Sequence, residues 1–265
     1  MPDSTVQGRF TTNSPTAPVA NTNPQFLLSG FDLSGVGWAQ GNLNKSFALV
    51  TDTHFIGATH FGAAANLSFR GSDGVVRNYG VAQTEVIKND DGSDSDLFLG
   101  TLSSQVDSTI QALGIANLGA EAQYIGRQLS VYGQTARVGL GTINAFQDFG
   151  ADPITSGSGL NMSRTYNFNY FNAAGGNNDA YFENGDSGSP SFIIQDGRLA
   201  VVGTHSALAT TSFSRINYDT FTPAYVNQLN AALAPSGRQV TLVPEPSGAA
   251  LALLGACFLL CKKRR

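Results

Sequence analysis

Phe47-Ala48-Leu49-Val50-Thr51-Asp52-Thr53-His54-Phe55-Ile56-Gly57-Ala58-Thr59-His60 reads as an apolar strand, a two-residue turn and a second apolar strand closing on Ala58-Thr59-His60. Short apolar runs on either side of a tight polar break mark an antiparallel hairpin, because only antiparallel neighbours can be joined by so short a turn. The same rhythm continues outward from Gln25 to about Arg215, with Gly, Asn, Asp and Ser between the runs. Strands are expected over Ser46–Thr51, Phe55–Ala58, Ala65–Phe69, Val81–Ile87, Leu97–Leu102, Gln128–Tyr132, Arg164–Phe171, Ser191–Gln195 and Leu199–Thr204. A helix is expected from Thr222-Pro223 to Leu233, since proline suits a first helical turn and Tyr225, Val226, Leu229 and Leu233 share one face. Gln105–Leu113 is a second helical candidate. Many short strands with one late helix argue for an all-β sandwich or barrel and against βαβ units. Ser103–Gln123 has the least strand pattern and marks a joint between two halves, while residues 1–24, rich in Thr, Asn, Pro and Ser, read as a flexible leader.

The composition narrows the function. The 265 residues carry 15 Lys+Arg against 19 Asp+Glu, with 42% hydrophobic and 13% charged residues. That is too apolar for a disordered acidic or basic chain, and no basic stripe suits a nucleic acid. Four of the cations are Lys262, Lys263, Arg264 and Arg265, so residues 1–261 carry 11 cations and 19 anions, a net charge of -8. Both cysteines, Cys257 and Cys261, lie in the same terminal stretch. The body therefore folds without an internal disulfide, on the strength of its core alone.

Asn184-Gly185-Asp186-Ser187-Gly188-Ser189-Pro190 precedes the apolar run Ser191–Ile194. A serine flanked by glycines on a tight turn, with backbone N–H groups beside it, meets the needs of a nucleophile with an oxyanion hole. The same residues can also form an ordinary turn between strands, and taken alone the stretch leaves both open. The chain has three histidines, His54, His60 and His205. His54 falls at the hairpin turn and is expected to be exposed; His60 ends the hairpin. Asp96 opens Asp96-Leu97-Phe98-Leu99-Gly100-Thr101-Leu102, behind the acidic run Asp90, Asp91 and Asp94. That run is expected to be a solvated loop, and it lacks the spacing and terminal Glu of an EF-hand calcium site.

These stretches resemble chymotrypsin-like (trypsin-fold) serine proteases: Ala58-Thr59-His60 the histidine motif, Asp96–Leu102 the aspartate motif, and Gly185-Asp186-Ser187-Gly188 the serine motif. The order His60, Asp96, Ser187 is that of this family and not of subtilisins or α/β-hydrolases. The resemblance implies two antiparallel six-stranded β-barrels, over residues 25–110 and 111–235 with the terminal helix in the second, and a cleft between them. It implies a serine endopeptidase in which Ser187 attacks the scissile carbonyl of a protein or peptide, His60 transfers the proton and Asp96 orients the imidazole. The N–H groups of Gly185 and Ser187 would form the oxyanion hole. No cofactor and no metal are implied. Gly203, Thr204, His205 and Ser206 match the family's substrate-flanking strand, and Tyr181 stands six before Ser187, where a carboxylate would select Lys or Arg. Tyr181, Phe182 and Tyr166–Phe171 suggest an apolar or partly filled pocket, or ordinary core packing. Ser189 replaces a usual glycine. No Ile-Val-Gly-Gly-like start precedes the body, so Asp186 is expected to find internal donors with no activating cleavage. A protease-fold module that binds without catalysing is the alternative; three intact catalytic residue types speak against it. A structural, exopolysaccharide-associated protein would draw support from the tail alone.

The tail, residues 244–265, runs Pro244-Glu245-Pro246, then an apolar stretch to Cys261, then four cations. Its thirteen apolar residues from Ala249 are short of the about 20 that a spanning helix needs. This order resembles the PEP-CTERM sorting signal, which implies export to the cell envelope or beyond, a transient membrane anchor over 248–261, and an exosortase-like enzyme as partner. Residues 1–25 show no apolar signal-peptide core, so a leader is expected upstream, or the start is misassigned.

Overall fold

The structure, a computed structural model, describes residues 5–149, 160–171, 178–210 and 214–245. Its first half holds six strands: β1 (Val36–Ala39), β2 (Asn42–Leu49), β3 (His54–Ala58), β4 (Asn66–Arg70), β5 (Val76–Lys88) and β6 (Asp94–Leu102). They close as an antiparallel barrel in the order β1-β2-β3-β6-β5-β4. The second half holds β7 (Gly114–Asn117), β8 (Gln128–Gly133), β9 (Arg137–Thr142), β10 (Ala145–Asp148), β11 (Arg164–Phe171), β12 (Pro190–Gln195), β13 (Arg198–Thr210), β14 (Ser214–Phe221) and β15 (Leu242–Pro244). Seven of these follow the path β10-β11-β14-β13-β12-β8-β9, and β7 joins the sheet through β13 and β15. This is a half-barrel beside a closed one. A 3₁₀ turn over Thr222–Tyr225 leads into α1 (Val226–Leu233), the one α-helix among the described residues. All nine expected strands and the late helix are present; Gln105–Leu113 forms turns instead of a helix.

The strands read as nearly continuous apolar runs because both of their faces are buried. Phe47, Leu49, Phe55, Phe69 and Phe98 fill the first barrel. Their neighbours Ala48, Val50, Ile56, Leu97 and Leu99 point the other way, into a core shared with Tyr132, Phe192 and Val201 of the second half and with Leu229 and Leu233 of α1. Val131, Ile193 and Val202 then fill the second half together with Tyr166 and Phe168. Three cores, one in each half and one between them, weld the halves into one body.

Residues 5–24 form a strap and not a loose leader. Arg9 and Phe10 are 7% exposed. The Arg9 guanidinium donates to the Val36 carbonyl at 2.7 Å, Phe10 meets Trp38 edge-on with centroids 5.6 Å apart, and Trp38 Nε1 donates to the Pro15 carbonyl at 3.1 Å. The Thr/Asn/Pro composition concealed this docking, which rests on two large side chains.

At the other end, β15 pairs in parallel with β7, and Glu245 is paired with Arg127 at 2.5 Å. The apolar and basic parts of the tail, with the expected anchor 248–261, lie outside the described residues. Among the described residues no helix is long and apolar enough to cross a membrane.

Candidate active site

Each half delivers part of one hydrogen-bonded row. The first half supplies His60, two residues past β3, and Asp96, near the start of β6. The second supplies Ser187, in the loop before β12, and Ser206, on β13. Ser187 Oγ lies 2.9 Å from His60 Nε2. On the other side of the ring, Nδ1 lies 2.9 Å from each Asp96 oxygen. An Nδ1 that faces only carboxylate oxygens carries the ring proton, which leaves the Nε2 lone pair toward the serine hydroxyl. Asp96 is held from three further sides. His60 N–H donates to Oδ1 at 3.0 Å, Ser206 Oγ donates to Oδ2 at 2.5 Å, and the Asp96 N–H donates to Ser163 Oγ at 2.6 Å. The carboxylate side chain is 1% exposed and the imidazole 23%, so the row opens to solvent only at its His–Ser end.

The serine loop is fixed by its own amides. The Asp186 N–H donates to the Glu183 carbonyl at 3.0 Å, Gly188 N–H to His205 at 2.8 Å and Ser189 N–H to Asp186 at 3.0 Å. Between them, the N–H groups of Gly185 and Ser187 have no hydrogen-bond partner among the described residues. These are the two donors expected for an oxyanion hole. Gly185 has φ +104°, a region that side-chain-bearing residues rarely adopt. Ser189 has no such φ; its side chain is buried with Oγ lacking a hydrogen-bond partner among the described residues, and its carbonyl accepts from His205 N–H at 2.9 Å.

Asp186 does find internal donors. Its carboxylate is buried and accepts from Gln134 N–H at 2.7 Å and Glu183 N–H at 2.6 Å. Burial pushes its pKa above the ordinary carboxylate range, against the opposing pull of His205 and of these two amides.

Alongside Ser187 runs a cleft of about 490 Å³, lined by Phe149, Leu160, Phe182, Leu208 and Tyr218 with His60, Gly185 and Ser206. Of the expected substrate-flanking residues, Ser206 alone lines it. Tyr181 does not: it stacks against Tyr170 at 4.8 Å and lies under the Arg215 guanidinium at 4.3 Å. Gly203 and Thr204 are turned into the sheet, where Gly203 backs onto the Tyr166 hydroxyl and Asp219. His205 is 1% exposed. Its Nδ1 lies 2.7 Å from Asp219, its Nε2 2.8 Å from the Tyr132 carbonyl, and Phe182 covers the ring at 4.0 Å. The residue six before the serine thus lies outside the pocket wall. Phe182, one residue later, supplies it.

His54 is buried, not exposed: its ring is 2.8 Å from Thr51 Oγ1 inside the hairpin turn, and burial lowers its pKa. Asp91 caps Ser93 and Asp94 pairs with Lys88, as befits a surface loop. Ser163, Gln134, Asp219 and the lining residues Phe149, Leu160, Leu208 and Tyr218 had no local signal. Their roles exist only through partners far away in the chain.

Comparison with solved structures finds the same overall fold. Human heparin binding protein aligns with a TM-score of 0.51 at 13% identity, over 77% of this chain and 92% of that one. A mutant of the same human protein gives 0.53 at the same identity and coverage. This chain has the chymotrypsin-like double-barrel fold. At 13% identity the likeness is one of fold alone. No family model matches the sequence, and no curated protein matches it.

Proposed function

We propose that the chain is a serine endopeptidase, with Ser187 as nucleophile, His60 as general base and then acid, and Asp96 as the group that orients the ring. The observation that carries the reading is the continuous row Ser187–His60–Asp96, with contacts of 2.9 Å at both links. In this reading Ser187 Oγ attacks the peptide carbonyl as His60 Nε2 takes its proton. The buried Asp96 stabilises the imidazolium, and the ring returns the proton to the departing amine. Water then repeats the sequence on the acyl-enzyme. The free N–H groups of Gly185 and Ser187 receive the oxyanion; each such donor contributes about 2.7–4 kcal/mol in comparable sites. Beyond Thr204 the edge of β13 that pairs with β12 continues without a strand partner among the described residues. An extended substrate can add to it as a strand, which favours a peptide over a small ester as the natural substrate.

Residues 1–261 carry a net charge of -8, so net charge lends no support to the heparin binding in the neighbours' name. The tail gives the location in this proposal: a sorting signal that delivers the body out of the cell and is removed by an exosortase-like enzyme. Among the described residues every strand precedes Glu245, so removal of the apolar and basic stretch would spare all of those. Mass measurement of the mature protein tests this; a chain that keeps Lys262–Arg265 on the exported protein argues against it. Ser187→Ala should abolish both cleavage of an unstructured protein and labelling by a fluorophosphonate; retained labelling would sink the nucleophile assignment.

A further inference from the structure

Gln134 touches neither the cleft nor Ser187, yet it grips the serine loop twice. Its main-chain N–H donates to Asp186 Oδ1 at 2.7 Å, and its side-chain Nε2 donates to the Asn184 carbonyl at 2.7 Å. The second bond matters most. A trans peptide is planar, with C=O and N–H on opposite sides. Holding the Asn184 carbonyl toward Gln134, which is absent from the cleft lining, turns the Gly185 N–H the other way, and Gly185 does line the cleft. The same amide nitrogen would sit 3.2 Å from a Cβ at Gly185, so the side chain is packed directly on this peptide.

Gln134 itself is presented by a strained turn. Thr135 and Ala136 have φ 55° and 58°, left-handed conformations that cost non-glycine residues energy and persist only when their surroundings hold them. Two braces do so. Asn44 Oδ1, from β2 of the first half, accepts from Thr135 N–H at 3.0 Å. The Ala136 carbonyl accepts from Arg9 N–H of the N-terminal strap at 2.8 Å. Both ends of the loop's support thus lie outside the half that carries Ser187.

We infer that Gln134 is a positioning residue for the oxyanion hole: its side-chain amide sets the Asn184–Gly185 peptide so that the Gly185 N–H faces the cleft, and the Arg9 strap braces the turn that presents it. This rests on the protease reading. The test compares the full-length parent with Gln134→Ala and Gln134→Glu, whose ionised carboxylate cannot donate to the Asn184 carbonyl. Three readouts are used: fluorophosphonate labelling, kcat and KM on a peptide ester, and the Gly185 amide resonance by NMR. The expected result is a kcat lower by about 10- to 100-fold in both variants, KM within about twofold, a shifted Gly185 amide and an unchanged fold by circular dichroism. A folded Gln134→Ala with parental kcat and an unmoved Gly185 resonance would overturn the inference while leaving the nucleophile intact. A parent that takes no label at Ser187 would defeat the protease reading, and this inference with it. Where Gln134→Ala fails to fold, Gln134→Glu carries the same comparison.

Discussion

Asp186 shows how one buried side chain ties the loop to the rest of the molecule. Two main-chain N–H groups hold its carboxylate, yet burial leaves its pKa above the ordinary range. A carboxyl raised in the folded state binds its proton more tightly there than in the unfolded chain. Its contribution is therefore complete below the ordinary value of about 3.9 and is lost as pH rises through the folded pKa. Asp186→Asn cannot ionise and lacks this loss. The melting temperature of the parent relative to the variant should thus decline as pH is raised from about 4; a parent that gains on the variant over that range contradicts the burial argument. Activity should also fall, because the amide offers one acceptor where two N–H donors wait. At this scale the candidate nucleophile, base and orienting carboxylate were legible, since short motifs surround His60, Asp96 and Ser187. Ser163 and Gln134 were not. Each is an ordinary polar residue whose partner lies 67 or about 50 positions away, and no local pattern records such a pairing.

At the scale of elements, legibility followed apolarity. β2, β3, β6, β12 and β13 declare themselves because both their faces are buried. β14, Ser214–Phe221, buries Asn217, Asp219 and Thr220 at 0% exposure, so its core-facing residues are polar and hydropathy passes over it. β9, Arg137–Thr142, carries two glycines, and β1 has only four residues. The strap escaped for a related reason: its docking depends on Arg9 and Phe10 within a polar sequence. Trp38 is the chain's single tryptophan and touches both the Phe10 ring and the Pro15 carbonyl. Phe10→Ala should cost about 3 kcal/mol in urea unfolding and shift the Trp38 emission to the red as water reaches the indole. An unchanged emission would show that the strap does not shield it.

Across the whole molecule, the cleft exists because a closed barrel and a half-barrel share a core, and its chemistry follows from what each half turns toward it. Two polar groups close to its wall are occupied. Asp186 faces amide donors, and the nitrogens of His205 face Asp219 and the Tyr132 carbonyl behind Phe182. Glu183 sits exposed at the rim, where a charge pair is worth about 0–1 kcal/mol. A buried charge without a partner is costly, so under the proposed peptidase reading the lining of Phe149, Leu160, Phe182, Leu208 and Tyr218 would favour an uncharged apolar side chain before the scissile bond. On a peptide panel, kcat/KM for Phe or Leu at that position should exceed that for Lys or Glu by at least about tenfold; a preference for either charged residue would contradict this view of the pocket.

The central claim is that Ser187, His60 and Asp96 form a working nucleophile. Treating the full-length protein with a fluorophosphonate and mapping the modified peptide tests it most directly. The account predicts one adduct per chain, on Ser187, absent in Ser187→Ala and slowed by orders of magnitude in His60→Ala. A folded protein that takes no label, or takes it on another serine, would contradict it.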